Sequence, residues 1–74
     1  MTRLPTLRPK DVLAALQRAG FDIVRVRGSH YQLLNPITKH RVTVPLHNRD
    51  LSKATLSSLL NQADLSIEDF FKFL

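Results

Sequence analysis

The sequence predicts an α+β fold in the order helix, three strands, helix, short helix, with the strands in one antiparallel sheet and the helices on one of its faces. Three observations carry this. Apolar residues recur at helical spacing around Val12 and again around Leu59. Between those stretches lie three short strand-like segments, the first and third of which alternate valine with polar residues. The turns joining the segments are too short for the crossovers that parallel strands need.

Residues 1–8 read as a loose N-terminal arm. Pro9 suits the first turn of a helix, where its missing N–H is no loss. Val12, Ala15, Leu16 and Ala19 fall on one helical face, which Leu13 widens, while Lys10, Asp11, Gln17 and Arg18 lie outside it. Gly20 follows as a left-handed cap, letting Phe21 fold back on the helix end. Asp22 to Arg27 is the first strand, with Val24 and Val26 opposed to Arg25 and Arg27. Gly28-Ser29 is a short turn, and Tyr31 to Leu34 the second strand. Asn35 to Lys39 is a turn with Pro36 at its corner. His40 to Val44 is the third strand, which Pro45 closes.

Leu46 to Asp50 form a loop, and Ser52 is the N-cap of the second long helix. Leu56, Leu59, Leu60 and Ala63 give that helix its apolar face, and Asp64-Leu65 breaks it. Ser66-Ile67-Glu68-Asp69 resembles a capping box with Asp in place of the usual Glu or Gln, opening a last short helix into Phe70-Phe71-Lys72-Phe73-Leu74. These tail residues cannot all point inward from one short helix. They serve the core in part, or offer a surface through which Phe70, Phe71 and Phe73 could pair two copies.

A sheet this small needs a cover for its apolar face, which the two longer helices supply. Val24, Val26, Val42 and Val44 are then expected to point at the helices, with Tyr31 and Leu33. Arg25, Arg27, Arg41, Thr43, His30, Gln32 and Leu34 point away, and Leu34 breaks an otherwise polar pattern.

The 74 residues leave room for one domain, 1–74. There is no cysteine, so disulfides and thiolate metal sites are excluded. The chain has no run near the roughly 20 apolar residues that span a bilayer, and Met1 to Pro5 lacks the apolar stretch of a signal peptide. The expectation is a cytoplasmic protein away from membranes. Eleven Lys and Arg against six Asp and Glu give a net charge of +5, which favours a polyanion, nucleic acid first and an acidic protein second. The three arginines of the outer sheet face suit phosphate contacts. Simple solubility charge is the plainer account, since +5 falls within the usual range of about 2–8 for small soluble domains.

His30, His40 and His47 are the side chains of a type that titrates near neutrality. RNA cleavage by transesterification needs a base for the 2′-hydroxyl proton and an acid for the leaving 5′-oxygen, and histidine serves for either. Neighbouring cations offset the charge that builds on phosphorus. His30 is the foremost candidate: Gly28 before it allows an unusual turn, Ser29 can bond a phosphate or the imidazole, and Arg25 and Arg27 precede it. By spacing alone a histidine beside a turn is more often structural or merely exposed than catalytic. His47 lies in the Pro45–Asp50 loop as a second acid or base, a phosphate ligand, or a histidine bonded to nearby backbone. His40, after a turn, is expected to be solvated. The three lack zinc-ligand spacing, so no metal is expected. No Gly-x-Ser-x-Gly elbow, P-loop or dinucleotide fingerprint is present.

Ala19-Gly20-Phe21, Arg27-Gly28-Ser29-His30 and Thr43-Val44-Pro45-Leu46-His47 together resemble the signature of the HicA toxins, the mRNA interferases of HicA–HicB toxin–antitoxin pairs. The resemblance runs from about Arg8 to Phe70. It implies a fold like the double-stranded-RNA-binding domain, ribosome-independent mRNA cleavage with no metal cofactor, and neutralisation by a HicB-type antitoxin that covers the active histidine. The family's catalytic histidine falls on His30. Its Gly-Ser-His and Pro-x-His motifs set Gly28, Ser29 and His47 beside it as supports. On the toxin reading, the basic residues Arg25, Arg27, Arg41 and Lys53 are the candidates for holding phosphates. One departure is Lys53-Ala54-Thr55, where the family often has Lys-Gly-Thr. Alanine favours a helix more than glycine does, so Ala54 bears on substrate approach rather than on folding. Two other readings stay beside this one: a non-catalytic RNA-binding module of the same topology, and an interaction domain whose basic face meets an acidic protein.

Overall fold

A computed structural model describes residues 6–74. The order is α1 (Pro9–Arg18), β1 (Asp22–Arg27), β2 (His30–Leu34), β3 (Arg41–Pro45), α2 (Lys53–Ala63) and α3 (Ile67–Phe71). This is the expected α+β arrangement, an antiparallel sheet in the order β1-β2-β3 with a short third helix added. Residues 1–5 of the expected arm lie outside the described residues. The rest of the arm is held: the Leu51 N–H donates to the Leu7 carbonyl at 2.8 Å, and Arg8 is the N-cap of α1.

Each helix ends where its sequence directs. Gly20 has φ +104, the Gly20 N–H bonds the Gln17 carbonyl, and the Phe21 N–H bonds the Leu16 carbonyl. That pair of bonds is the Schellman closure, and it turns Phe21 back into the core. Ser52 Oγ accepts from the Thr55 N–H at 3.1 Å, and Ser66 Oγ does the same for Asp69. At the end of α2 the same closure recurs around Asp64, which takes the left-handed conformation at φ +56 without being glycine.

The core joins Val12, Ala15 and Leu16 of α1 to Leu56, Leu59, Leu60 and Ala63 of α2 and to Leu33, Val42 and Val44 of the sheet, with Phe21, Leu51 and Phe70 closing it. Among the described residues no helix is long and apolar enough to cross a membrane.

The sheet departs from expectation in β1. Its pairing shifts between Ile23 and Arg25, so Val24 is an extra residue in a bulge. Ile23, opposite Leu33, takes the inward place expected of Val24. Val26 is opposite Tyr31 and does share the inner face with Val42 and Val44. The helices pack over β3 and over Leu33 of β2 but stop short of β1, where Ile23, Val24 and Val26 remain 38%, 50% and 49% exposed. The covered face is thus two strands wide.

Candidate active site

Gly28 and Ser29 are the whole connection between β1 and β2. Gly28 has φ +59 while Ser29 is not in the left-handed region, the pattern of a type II′ hairpin turn with glycine first. A Cβ on Gly28 would meet nothing within 4 Å. Glycine is needed here for its backbone conformation, not for room.

The turn sets the register of the strands on either side of it. Arg27 and His30 are opposite one another, and His30 is in turn opposite Pro45. Opposed residues of an antiparallel sheet share a face, so Arg27, His30 and Pro45 form the first outward row. The second row is Arg25, Gln32 and Thr43, and the last is Asp22, Leu34 and Arg41. Arg25 and Arg27 are therefore close to His30. Arg41 is not: it lies four residues along β3 from Pro45, about 13 Å at roughly 3.3 Å per residue. Leu34 does point outward, half-buried.

The Leu46 N–H donates to the Ser29 carbonyl at 2.6 Å. This bond draws the loop after β3 against the hairpin turn, so Gly28-Ser29-His30 and Pro45-Leu46-His47 become neighbours though 17 residues apart. His30 is exposed, and its ring bonds to no group among the described residues. Either ring nitrogen is open to a ligand. His47 is exposed and differs: its Nδ1 accepts the Arg49 N–H at 3.2 Å. A neutral ring in that bond carries its proton on Nε2, as a donor. Phosphate ligand suits it better than base.

Beside His47 an open groove of about 440 Å³ is lined by Arg8, Pro9, Lys10, Leu46, His47 and Asn48. Arg8 lies 4.0 Å from Asp50, and Lys10 pairs with no acidic group among the described residues. Sequence patterning does not single out these two cations, because they flank the start of α1 and only the loop after β3 brings His47 to them. Lys53 is the exposed first residue of α2, whose first turn has no acidic residue. The Leu7–Leu51 bridge holds the start of α2 beside the start of α1. Ala54 is exposed, so its methyl is accommodated without packing.

One expectation changes. His40 is half-buried rather than solvated, and its buried Nδ1 has no partner. It precedes Arg41, at the end of the sheet away from His30. The aromatic tail is mostly drawn inward: Phe70 is fully buried, and Phe71 and Phe73 pack on the core. Arg18 bonds the Phe73 carbonyl at 2.6 Å, which leaves Leu74, 50% exposed, as the tail's main apolar surface. Among the described residues no three His, Asp or Glu side chains gather into a metal-binding group.

Comparison with known proteins accords with this geometry. A family model described as the HicA toxin of bacterial toxin–antitoxin systems matches residues 9–65, from the first residue of α1 to just past the end of α2. The chain belongs to the HicA toxin family. None of the curated proteins compared matches. The HicA match spans the hairpin turn, the loop after β3 and the three strands that join them, while α3 lies beyond it. Membership makes this chain the toxin of a pair, and it implies an antitoxin as partner.

Proposed function

We propose that this HicA toxin is an endoribonuclease that cleaves mRNA in the cytoplasm, with His30 as its catalytic residue. The observation that carries this reading is the Ser29–Leu46 hydrogen bond, which draws the turn bearing the open, unpartnered His30 against the loop bearing His47. In the reaction the RNA 2′-hydroxyl loses its proton and its oxygen attacks the adjacent phosphorus. The bond to the 5′-oxygen breaks, that oxygen takes a proton, and a 2′,3′-cyclic phosphate remains. His30 carries one of the two proton transfers, which histidine performs without a metal. Arg27 and Arg25, in the first two outward rows, bind the phosphates on either side, and the Nε2–H of His47 donates to a non-bridging oxygen as charge grows there. Lys53 extends the phosphate track at the start of α2. Arg41 reaches only a distant phosphate. The partner proposed is a HicB-type antitoxin that covers this face.

Incubating the purified protein with RNA in EDTA tests the reading. Cleavage is expected to persist, and His30→Ala should lower its rate by about 10²–10⁴-fold, the usual worth of a positioned acid or base, with an unchanged melting curve. Expression of the wild type should arrest growth and His30→Ala should relieve it. RNA that binds but stays intact would instead favour a non-catalytic RNA-binding module of the same topology.

A further inference from the structure

The two edges of the sheet are treated differently. At β3 the outward N–H of Thr43 donates to Gln62 Oε1 of α2 at 3.2 Å, so the helix that covers the sheet also occupies that edge. At β1 nothing does so. Its outer backbone edge has no partner among the described residues, and Ile23, Val24 and Val26 remain 38–50% exposed along it. An open apolar edge is a template for another strand, and proteins normally blunt such edges or use them.

We propose that β1 is the docking strand for the antitoxin, which adds an extended segment to this edge with apolar side chains over Ile23 and Val26 and acidic ones against Arg25 and Arg27. The choice of occupant rests on charge and polarity. RNA would satisfy the two arginines but not the three aliphatic side chains. A second copy of this chain would supply the aliphatic groups but carry the same +5 charge and a second Arg25 and Arg27. An acidic, β-forming protein segment complements both faces of the strand. Such docking would also pair away the two cations nearest His30, at the edge of the face that the proposed antitoxin covers. The inference rests on the proposed antitoxin partner but not on RNA cleavage.

Hydrogen exchange on the toxin, alone and in complex with its antitoxin, tests this. Amides of residues 23–26 are expected to exchange at least tenfold more slowly in the complex. Val24→Glu should weaken antitoxin binding at least tenfold and leave RNA cleavage within about twofold, since Val24 touches neither histidine motif. Ile23→Lys, checked by its melting temperature, provides a second variant should the first misfold. Unchanged exchange at residues 23–26, or wild-type antitoxin affinity in a folded variant of either kind, would overturn the proposal. So would a free toxin that is already a dimer through β1. If the wild type cleaves no RNA but these effects appear, the nuclease reading fails and the docking strand stands.

Discussion

At the scale of single residues, the roles proposed for the two exposed histidines follow from what each already bonds. His30 is free at both nitrogens, whereas His47 spends Nδ1 on the Arg49 backbone. Removing His47 should therefore lower RNA affinity more than the proton-transfer step. His47→Ala is expected to raise KM several-fold and to lower kcat less than His30→Ala does; equal losses in kcat would show His47 to be a second acid or base. Gly28→Ala is expected to destabilise the fold by about 1 kcal/mol, because alanine is strained at positive φ, although the added methyl meets only open space. Chemical denaturation measures this directly. The sequence displays His30, Gly28 and the arginines of β1 as residue types, but it cannot display their company. That the His47 loop lies against the His30 turn depends on a backbone bond between Ser29 and Leu46, which no side-chain pattern announces. The unpartnered Nδ1 of His40 is equally hidden, since a histidine after a turn has the same local sequence whether it is wet or half-buried.

At the scale of elements, local signals are legible where one residue type does one job. Ser52, Ser66 and Gly20 each occupy the cap their chemistry suits. The middle of β1 is not legible in this way, because Ile23-Val24 offers two adjacent β-branched residues, and alternation alone does not say which faces inward. The bulge resolves it in favour of Ile23. Ser52→Ala is expected to lower stability by about 1 kcal/mol, the common worth of such a cap. Asp64 offers the opposite test. It holds a left-handed conformation that glycine takes with less strain. Asp64→Gly is expected to stabilise by up to about 1 kcal/mol, and a gain of that size would raise Tm by roughly 4–8 °C in a domain this small. A drop in Tm would show that the Asp64 side chain contributes more than its backbone costs.

At the scale of the whole molecule, charge and core act on opposite faces. The helices bury one side of β2 and β3, and the other side of the sheet carries Arg25, Arg27 and Arg41. If Arg25, Arg27 and Lys53 neutralise three phosphates, log K for single-stranded RNA should fall with log salt at a slope of about −2, and Arg27→Ala should reduce that slope by about 0.7. Arg41→Ala should change cleavage less than Arg27→Ala, because it lies at the far end of the outer face. The fold class, its order and its outward arginines are legible from periodicity and alternation. The uncovered width of β1 is not, because periodicity tells which way a side chain points and not how far a helix reaches. The connections of the sheet have a further consequence, and it concerns time. Two residues join β1 to β2 and six join β2 to β3, so every strand pairs with its neighbour in sequence. A β-hairpin forms in roughly 1–10 μs, and local pairing of this kind favours fast folding. The histidine turn and its cross-strand neighbours thus belong to a hairpin meander that can form before the more distant contacts of the tail, such as Arg18 with Phe73, are made. A newly made chain would reach its working shape quickly, and restraint of it depends on antitoxin already waiting.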